Sequence, residues 1–307
     1  MTRRPARPDP AAPPCPAPPD GAAYAAEREV AVAAAREAGA LLRERFPDGR
    51  DGYGVRAKGE RGDVVTDLDL MAEQIVVRRL REHFPHDRIL AEESGALDGD
   101  GDGDGDGPDS GRTWLVDPLD GSNNLVIGLP AYVVGIGLCA GDETVVGVVH
   151  EPVTDLTWTA ARGGGAYGPH GPLTAAPRAV PPAGPLLAWT QGHAVARADP
   201  AARALKNTLE GGARRLLQLW APLLTWSMLA RGDIDGFVGY RAEMIDLPAG
   251  ALLAAEAGVR VTALDGGPFP IGLGGPDTDR SFVAARPELL PALLDLVAAG
   301  RALTARP

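Results

Sequence analysis

Cysteine is nearly absent: Cys15 and Cys139 are the only two in 307 residues. Two thiols, one of them in a proline-rich stretch, exclude a disulfide framework and a cysteine metal site, and they fit a reducing cytoplasm. Histidine is scarce too. His83, His86, His150, His170 and His193 stand at no metal-ligand spacing, and a surface or turn position is expected for each. No Ser/His/Asp triad is indicated. The longest uncharged apolar run, Leu125–Ala140, contains Pro130 and is too short to span a membrane. Arg3, Arg4 and Arg7 are followed by prolines instead of an apolar segment, so no secretory signal is expected. Positive charge is in deficit: the formal net charge is −11. That disfavours a binder of nucleic-acid polymers or anionic membranes, which needs a basic surface.

What is present is enough apolar material, 45% of the chain, for a sizeable core. Glycine and proline are concentrated locally. Residues 1–20 hold eight prolines and are expected to be a disordered tail. Gly95–Gly111 holds seven glycines and six aspartates. Its Asp98–Asp109 repeat superficially fits a calcium loop, but strand-like segments flank it instead of helices, so a flexible loop over about 98–110 is expected. Gly163-Gly164-Gly165 lacks dinucleotide-fingerprint spacing and reads as a hairpin turn.

Ala22–Phe46 and Asp69–Phe84 carry helical apolar spacing. Arg88–Leu90 and Thr113–Val116 read as strands. Tyr132–Cys139, Thr144–Val149 and Leu156–Ala161 read as an antiparallel meander. From Leu186 onward strands and helices alternate. These patterns predict one domain over 21–307 with two subdomains, about 21–180 and 181–307.

Carboxylates cluster beside turns. Glu92 and Glu93 follow the strand Arg88–Leu90, Asp246 precedes a helix, and the segment Trp114–Ser122 reads WLVDPLDGS. In that segment Pro118 fixes φ, and a tight turn is expected to bring Asp120 back to Asp117. Carboxylates held that close repel unless a cation lies between them. Hard oxygen ligands without His or Cys favour Mg²⁺ or Mn²⁺ over Zn²⁺. Backbone N–H groups after Asp120 offer a phosphate cradle. Each motif alone also has a plain reading: a turn, a solvated acidic pair and, for Asp246, a helix N-cap.

Together the motifs resemble the inositol monophosphatase family of metal-dependent phosphatases, relatives of fructose-1,6-bisphosphatase. WLVDPLDGSNNLVIGLP (Trp114–Pro130) is similar to its Asp-Pro-(Ile/Leu)-Asp-Gly-Thr signature. AEES (Ala91–Ser94), GDVVTDLDLMAE (Gly62–Glu73) and IDLPAGALLAAEAG (Ile245–Gly258) are similar to three further family segments, in family order. The resemblance runs from about Ala22 to the C-terminus. It implies a layered α+β/α/β (αβαβα) sandwich. It implies a first Mg²⁺ on Glu92, Asp117 and the Leu119 carbonyl, a second on Asp117, Asp120 and Asp246, and a weaker third helped by Glu92. Asp69 and Ser122, with Glu92, would serve catalysis, and Glu93 would sit behind the ligands. Gly121, Ser122 and Asn123 would bind phosphate, and Trp220 and Gly239 fall at substrate-binding positions. Lys58 matches a family lysine.

Ser122 stands where the family has Thr, which keeps the hydroxyl. Trp220-Ala221-Pro222 replaces a Gly-Ser/Thr-Ala run on the substrate side, and Gly239 replaces a Glu that binds sugar hydroxyls. Trp220 is read as core filler in preference to a stacking platform. The expected function is a Mg²⁺-dependent phosphomonoesterase for an inositol- or sugar-type monophosphate, in a cytoplasmic homodimer with no nucleic-acid or membrane partner. The alternatives are a nucleotide 3′-phosphate or histidinol-phosphate phosphatase, and a non-catalytic metal- or phosphate-binding relative.

Overall fold

The computed structural model describes residues 23–46, 52–59, 63–99, 110–176, 181, 183–274 and 280–304. The proline-rich segment 1–20 and most of the Asp-Gly loop therefore lie outside the described residues.

Helices α1 (Ala25–Arg45) and α2 (Asp67–His83) lie on one face of an eight-stranded sheet. Ala31, Ala34, Ala35, Ala38 and Leu42 form the buried stripe of α1, and Leu68, Ala72, Val76 and Leu80 that of α2. Small side chains every three or four residues let α1 lie close against the strands. The sheet comprises β3 (Arg88–Ala91), β4 (Gly95–Leu97), β5 (Arg112–Asp120), β6 (Val133–Ala140), β7 (Glu143–Glu151), β8 (Leu156–Ala161), β9 (Gly165–Gly168) and β10 (Gly171–Leu173). Their order is β10-β9-β8-β7-β6-β5-β3-β4. Only β3 and β5 pair in parallel. The meander of β6, β7 and β8 forms as the alternation predicts.

A second sheet holds β11 (Leu186–Gln191), β12 (Arg215–Leu217), β13 (Gly236–Tyr240), β14 (Arg260–Ala263) and β15 (Phe282–Ala285), in the order β12-β11-β13-β15-β14. Its inward residues Phe237, Phe282 and Ala284 share a core with α5 (Pro222–Ala230) and α6 (Pro248–Glu256). Its outward residues Val238, Val283 and Ala285 pack under α4 (Pro200–Gly212) and α7 (Leu290–Ala302). Both faces are buried, so its strands read as apolar runs. The layers are helix, sheet, helix, sheet, helix: the expected αβαβα sandwich.

Helices α5 and α6 fill the middle layer and are apolar on every side. Each opens on a proline, where no helical donor is lost. Glycines in the sheet make room for them. A Cβ at Gly135 would stand 2.2 Å from Leu223 Cδ1, and one at Gly147 would stand 2.4 Å from the Ala249 carbonyl oxygen. The second contact is with backbone and cannot be relieved by a rotamer. Gly147→Ala is therefore expected to destabilise the protein by about 1–3 kcal/mol, measured by urea unfolding. It should also lower activity, because α6 begins immediately after Asp246.

Three local expectations are corrected. Asp117 and Asp120 are not joined by a tight turn: β5 runs on through both, with a bulge between them. Asp246 is not a helix N-cap; Leu247 holds that position, without a side-chain cap. His150 is not at the surface: it is 1% exposed, tucked against Gly39 of α1. Its Nδ1 lies 3.0 Å from Thr157 Oγ1 and its Nε2 3.9 Å from Asp155 Oδ1.

Burial lowers the His150 pKa from 6.5 to about 4, with Asp155 opposing the shift. Below pH 6.5 the unfolded chain takes up a proton that the folded chain refuses. Stability from this group is thus complete above pH 6.5 and is lost as pH falls toward 4, by on the order of 3 kcal/mol in total. His150→Asn is expected to flatten the pH dependence of unfolding between pH 6.5 and 4. Equal slopes in the two proteins would contradict that.

Candidate active site

The bulge in β5 builds the site. Asp117 pairs with Gly135 and Asp120 with Val133, so Pro118 and Leu119 together oppose a single residue of β6. In a regular strand, residues three apart point to opposite faces. The extra residue returns both aspartates to one face, that of α5 and α6. Pro118 lacks an N–H and falls where the ladder is already interrupted. The Leu119 N–H donates to Asp117 Oδ1 at 3.1 Å. The N–H groups of Leu223 and Leu224, at the start of α5, donate to Asp120 Oδ2 at 2.7 and 3.2 Å.

Glu92 leaves the end of the parallel neighbour β3, its N–H bonded to the Val116 carbonyl at 3.0 Å. Lys58 lies on a hairpin strand, β1 (Val55–Lys58), paired with β2 (Asp63–Thr66). Its Nζ donates to Glu92 Oε1 at 2.8 Å and to Glu93 Oε1 at 2.7 Å. Burial alone would lower the Lys58 pKa, but the two carboxylates outweigh it and raise it. Asp246 reaches the same group from the segment before α6.

Asp69 sits at the start of α2, where Thr66 is the N-cap and Asp69 closes the capping box. It is 1% exposed. Thr66 N–H donates to its Oδ2 at 2.7 Å, and Ser122 Oγ donates to its Oδ1. Ser122 opens the five-residue α3 (Ser122–Val126). Gly121 before it has φ +106°, and a Cβ there would stand 2.9 Å from the Ala131 carbonyl oxygen. Only glycine fits that position.

Two features went unassigned in the sequence. Glu73 is 2% exposed and accepts from the N–H groups of Glu93 and Ser94 at 2.8 and 3.0 Å, so it fixes the Glu92-Glu93 turn. The signal was available, since Asp69 and Glu73 are four apart and share a helix face. The hairpin β1–β2, which presents Lys58, is only four residues a strand, too short for the alternation in Val55–Lys58 to stand out.

The carboxylates are electrostatically strained. Burial, then the neighbouring carboxylates, hold Asp117 and Asp246 well above the usual carboxylate range. Burial does the same to Asp120, against the two α5 N–H bonds. Glu92 is also raised by burial, with Lys58 opposing. Asp69 is pushed up to about 6 by burial, against its bonds from Ser122 and Thr66.

These groups border a cleft of about 850 Å³. Glu92, Asp117, Asp120 and Asp246 line it, as do Leu119, Gly121, Ser122 and Asn123. Trp220 lines it at 54% exposure, which corrects its reading as core filler. Gly239 is also corrected. It lies in β13 outside the cleft lining, and a Cβ there would stand 2.2 Å from the Phe282 ring. The cleft lies where the two sheets meet, with residues from β5 on one side and β11 on the other.

The donor set is all oxygen, carries excess negative charge and resists ionisation, which suits a hard divalent cation. Among the described residues no three acidic side chains already surround one point as a preformed cage. The fit is therefore one of ligand type and charge.

Residues 24–299 match the inositol monophosphatase family. The chain belongs to that family. It is 32% identical over 273 residues to inositol monophosphatase 1 of Solanum lycopersicum, covering 87% of this chain and 92% of that relative. It is 30% identical over 268 residues to a protein named Nus factor SuhB from Pasteurella multocida, covering 87% and 94%. Among solved structures it is similar to the extragenic suppressor protein SuhB of Bartonella henselae, with a TM-score of 0.77, 26% identity, and coverage of 89% of this chain and 98% of that one. The family is one of metal-dependent phosphatases. Among the described residues no helix is long and apolar enough to cross a membrane.

Proposed function

We propose that the protein is a Mg²⁺-dependent phosphomonoesterase for a small phosphate ester, of the inositol- or sugar-phosphate type. The observation that carries this is the gathering of Glu92, Asp117, Asp120 and Asp246 on one cleft wall, with the Asp69–Ser122 pair beside them. Those four side chains and the Leu119 carbonyl would hold Mg²⁺. When bound, Mg²⁺ supplies positive charge for the phosphoryl oxygens and acidifies water.

The chain's own groups do the rest. Gly121 and Ser122 offer backbone N–H groups to the phosphate, with Asn123 alongside. Ser122 Oγ orients the attacking water and passes its proton to Asp69 Oδ1. A carboxylate whose pKa is about 6 is matched to that task near neutral pH. Lys58 and Glu73 hold Glu92 and Glu93 in place. Ser122→Ala is expected to lower kcat about 100-fold, and Ser122→Thr to retain activity. Equal rates for Ala and Ser would remove Ser122 from the mechanism.

The substrate is tested by phosphate release from inositol 1-phosphate, hexose phosphates, a nucleoside 3′-phosphate and histidinol phosphate. The reading expects the polyol and sugar esters to lead. A lead by the nucleotide or histidinol ester would transfer the assignment to that class, and Trp220 offers it a stacking face. The name of the Pasteurella relative raises a role beyond hydrolysis. The net charge of −11 weighs against direct binding to a nucleic-acid polymer.

A further inference from the structure

The two oxygens of the Asp69 carboxylate keep different company. Oδ2 accepts the Thr66 N–H at 2.7 Å and the Thr66 hydroxyl as well. Oδ1 faces Ser122, whose hydroxyl donates to it. Each oxygen of an ionised carboxylate offers about two acceptor sites. Thr66 alone fills both sites on Oδ2.

Thr66 is itself held fast. It is fully buried and ends β2 opposite Val55. Its Oγ1 accepts the Leu68 N–H at 3.2 Å, which leaves the hydroxyl hydrogen for Asp69. The next residue, Asp67, donates its N–H to the Gly54 carbonyl at 3.1 Å and accepts the Gly54 N–H at 3.0 Å. A capping box commonly carries Glu or Gln at its third position, for helix stability alone. Here the residue is a shorter Asp whose second oxygen leaves the box toward Ser122. A proton delivered to Oδ2 would meet two donor hydrogens. One delivered to Oδ1 meets the hydroxyl oxygen it came from.

We propose that Thr66 is a positioning residue for proton transfer: by occupying Oδ2 it makes Oδ1 the oxygen that takes the proton from Ser122. As Ser122 Oγ takes a proton from the attacking water, its own passes to Asp69 Oδ1, and Thr66 keeps its hydrogen throughout. The transfer rests on the phosphatase reading above; the grip of Thr66 on Asp69 does not. Burial raises the Asp69 carboxyl, the bonds from Ser122 and Thr66 oppose that rise, and Glu92 adds to it. The other charged groups nearby are engaged elsewhere: Asp67 with Arg56, Glu73 with the Glu93 and Ser94 N–H groups, and Lys58 with Glu92 and Glu93.

Thr66→Val keeps the shape and loses the hydroxyl; Thr66→Ser keeps the hydroxyl. Thr66→Val is expected to lower kcat about tenfold with KM unchanged, and to move the acid limb of the kcat/KM profile up by about one pH unit. Thr66→Ser should restore both. A lost helix cap alone would lower the melting temperature and leave the acid limb in place. Should Thr66→Val not fold, Thr66→Gly, a tolerated N-cap, makes the same comparison. An acid limb unmoved by loss of the hydroxyl, or not restored by Ser, would overturn the proposal. If the native protein releases phosphate from no ester, the phosphatase reading fails, and carboxyl ¹³C NMR decides the grip. The Asp69 signal, identified by its absence from Asp69→Asn, should titrate about one pH unit higher in Thr66→Val than in the native protein. Equal midpoints would overturn it.

Discussion

Replacing Asp117 by Asn lowers phosphate release by about three orders of magnitude or more, yet makes the metal-free protein more stable. The first effect follows from the position of Asp117 at the centre of the carboxylate group, between Glu92 and Asp120. Losing a charge that supports the cation removes several kcal/mol of transition-state stabilisation, and each 1.4 kcal/mol is about tenfold in rate. The second effect follows from the sign of the pKa shift. The Asp117 carboxyl is raised above its unfolded value, so the folded state holds its proton more tightly than the unfolded chain. Such a group opposes folding increasingly as pH rises above the unfolded value of 3.8. Asn keeps the shape and the acceptor for the Leu119 N–H and has no proton to surrender. Melting curves at pH 7.5 in chelator, with assays of the same preparations, check both halves. Turnover at the native rate, or a lower melting temperature for Asp117→Asn in chelator, would contradict the account.

Mg²⁺ binding is expected to expel protons and to stabilise the fold strongly. Asp117, Asp120, Asp246 and Glu92 all have raised pKa values, so the metal-free group holds its protons to higher pH than ordinary carboxylates do. A cation replaces those protons, and its affinity should fall as pH is lowered. Calorimetry in two buffers of different ionisation enthalpy reads the released protons directly. At 100 times its dissociation constant the ion should add about 2.7 kcal/mol to stability, which chelator removes. Binding heat independent of the buffer, or a melting temperature unmoved by Mg²⁺, would count against the site.

Much of this was legible before any coordinates. The long helices, the meander and the apolar α5 and α6 announce themselves by period and by the prolines at Pro222 and Pro248. The four acidic motifs identify the family because they recur in order along most of the chain. What escaped was tertiary in origin. The bulge at Pro118-Leu119 depends on how β5 registers with β6, which no local pattern in DPLD encodes. Burial of His150 depends on Gly39, more than a hundred residues earlier. Trp220 and Gly239 exchanged roles because exposure along a loop or a short strand is set by neighbours such as Phe282.

The central claim is that these carboxylates hold a divalent ion for phosphate-ester hydrolysis. Steady-state phosphate release from inositol 1-phosphate by the purified protein, in Mg²⁺ and again in excess chelator, tests it most directly. Release that requires Mg²⁺, vanishes in chelator and returns when Mg²⁺ is restored is the predicted result. Release that persists undiminished in chelator, or no release from this or any other ester of the panel in Mg²⁺, would contradict it.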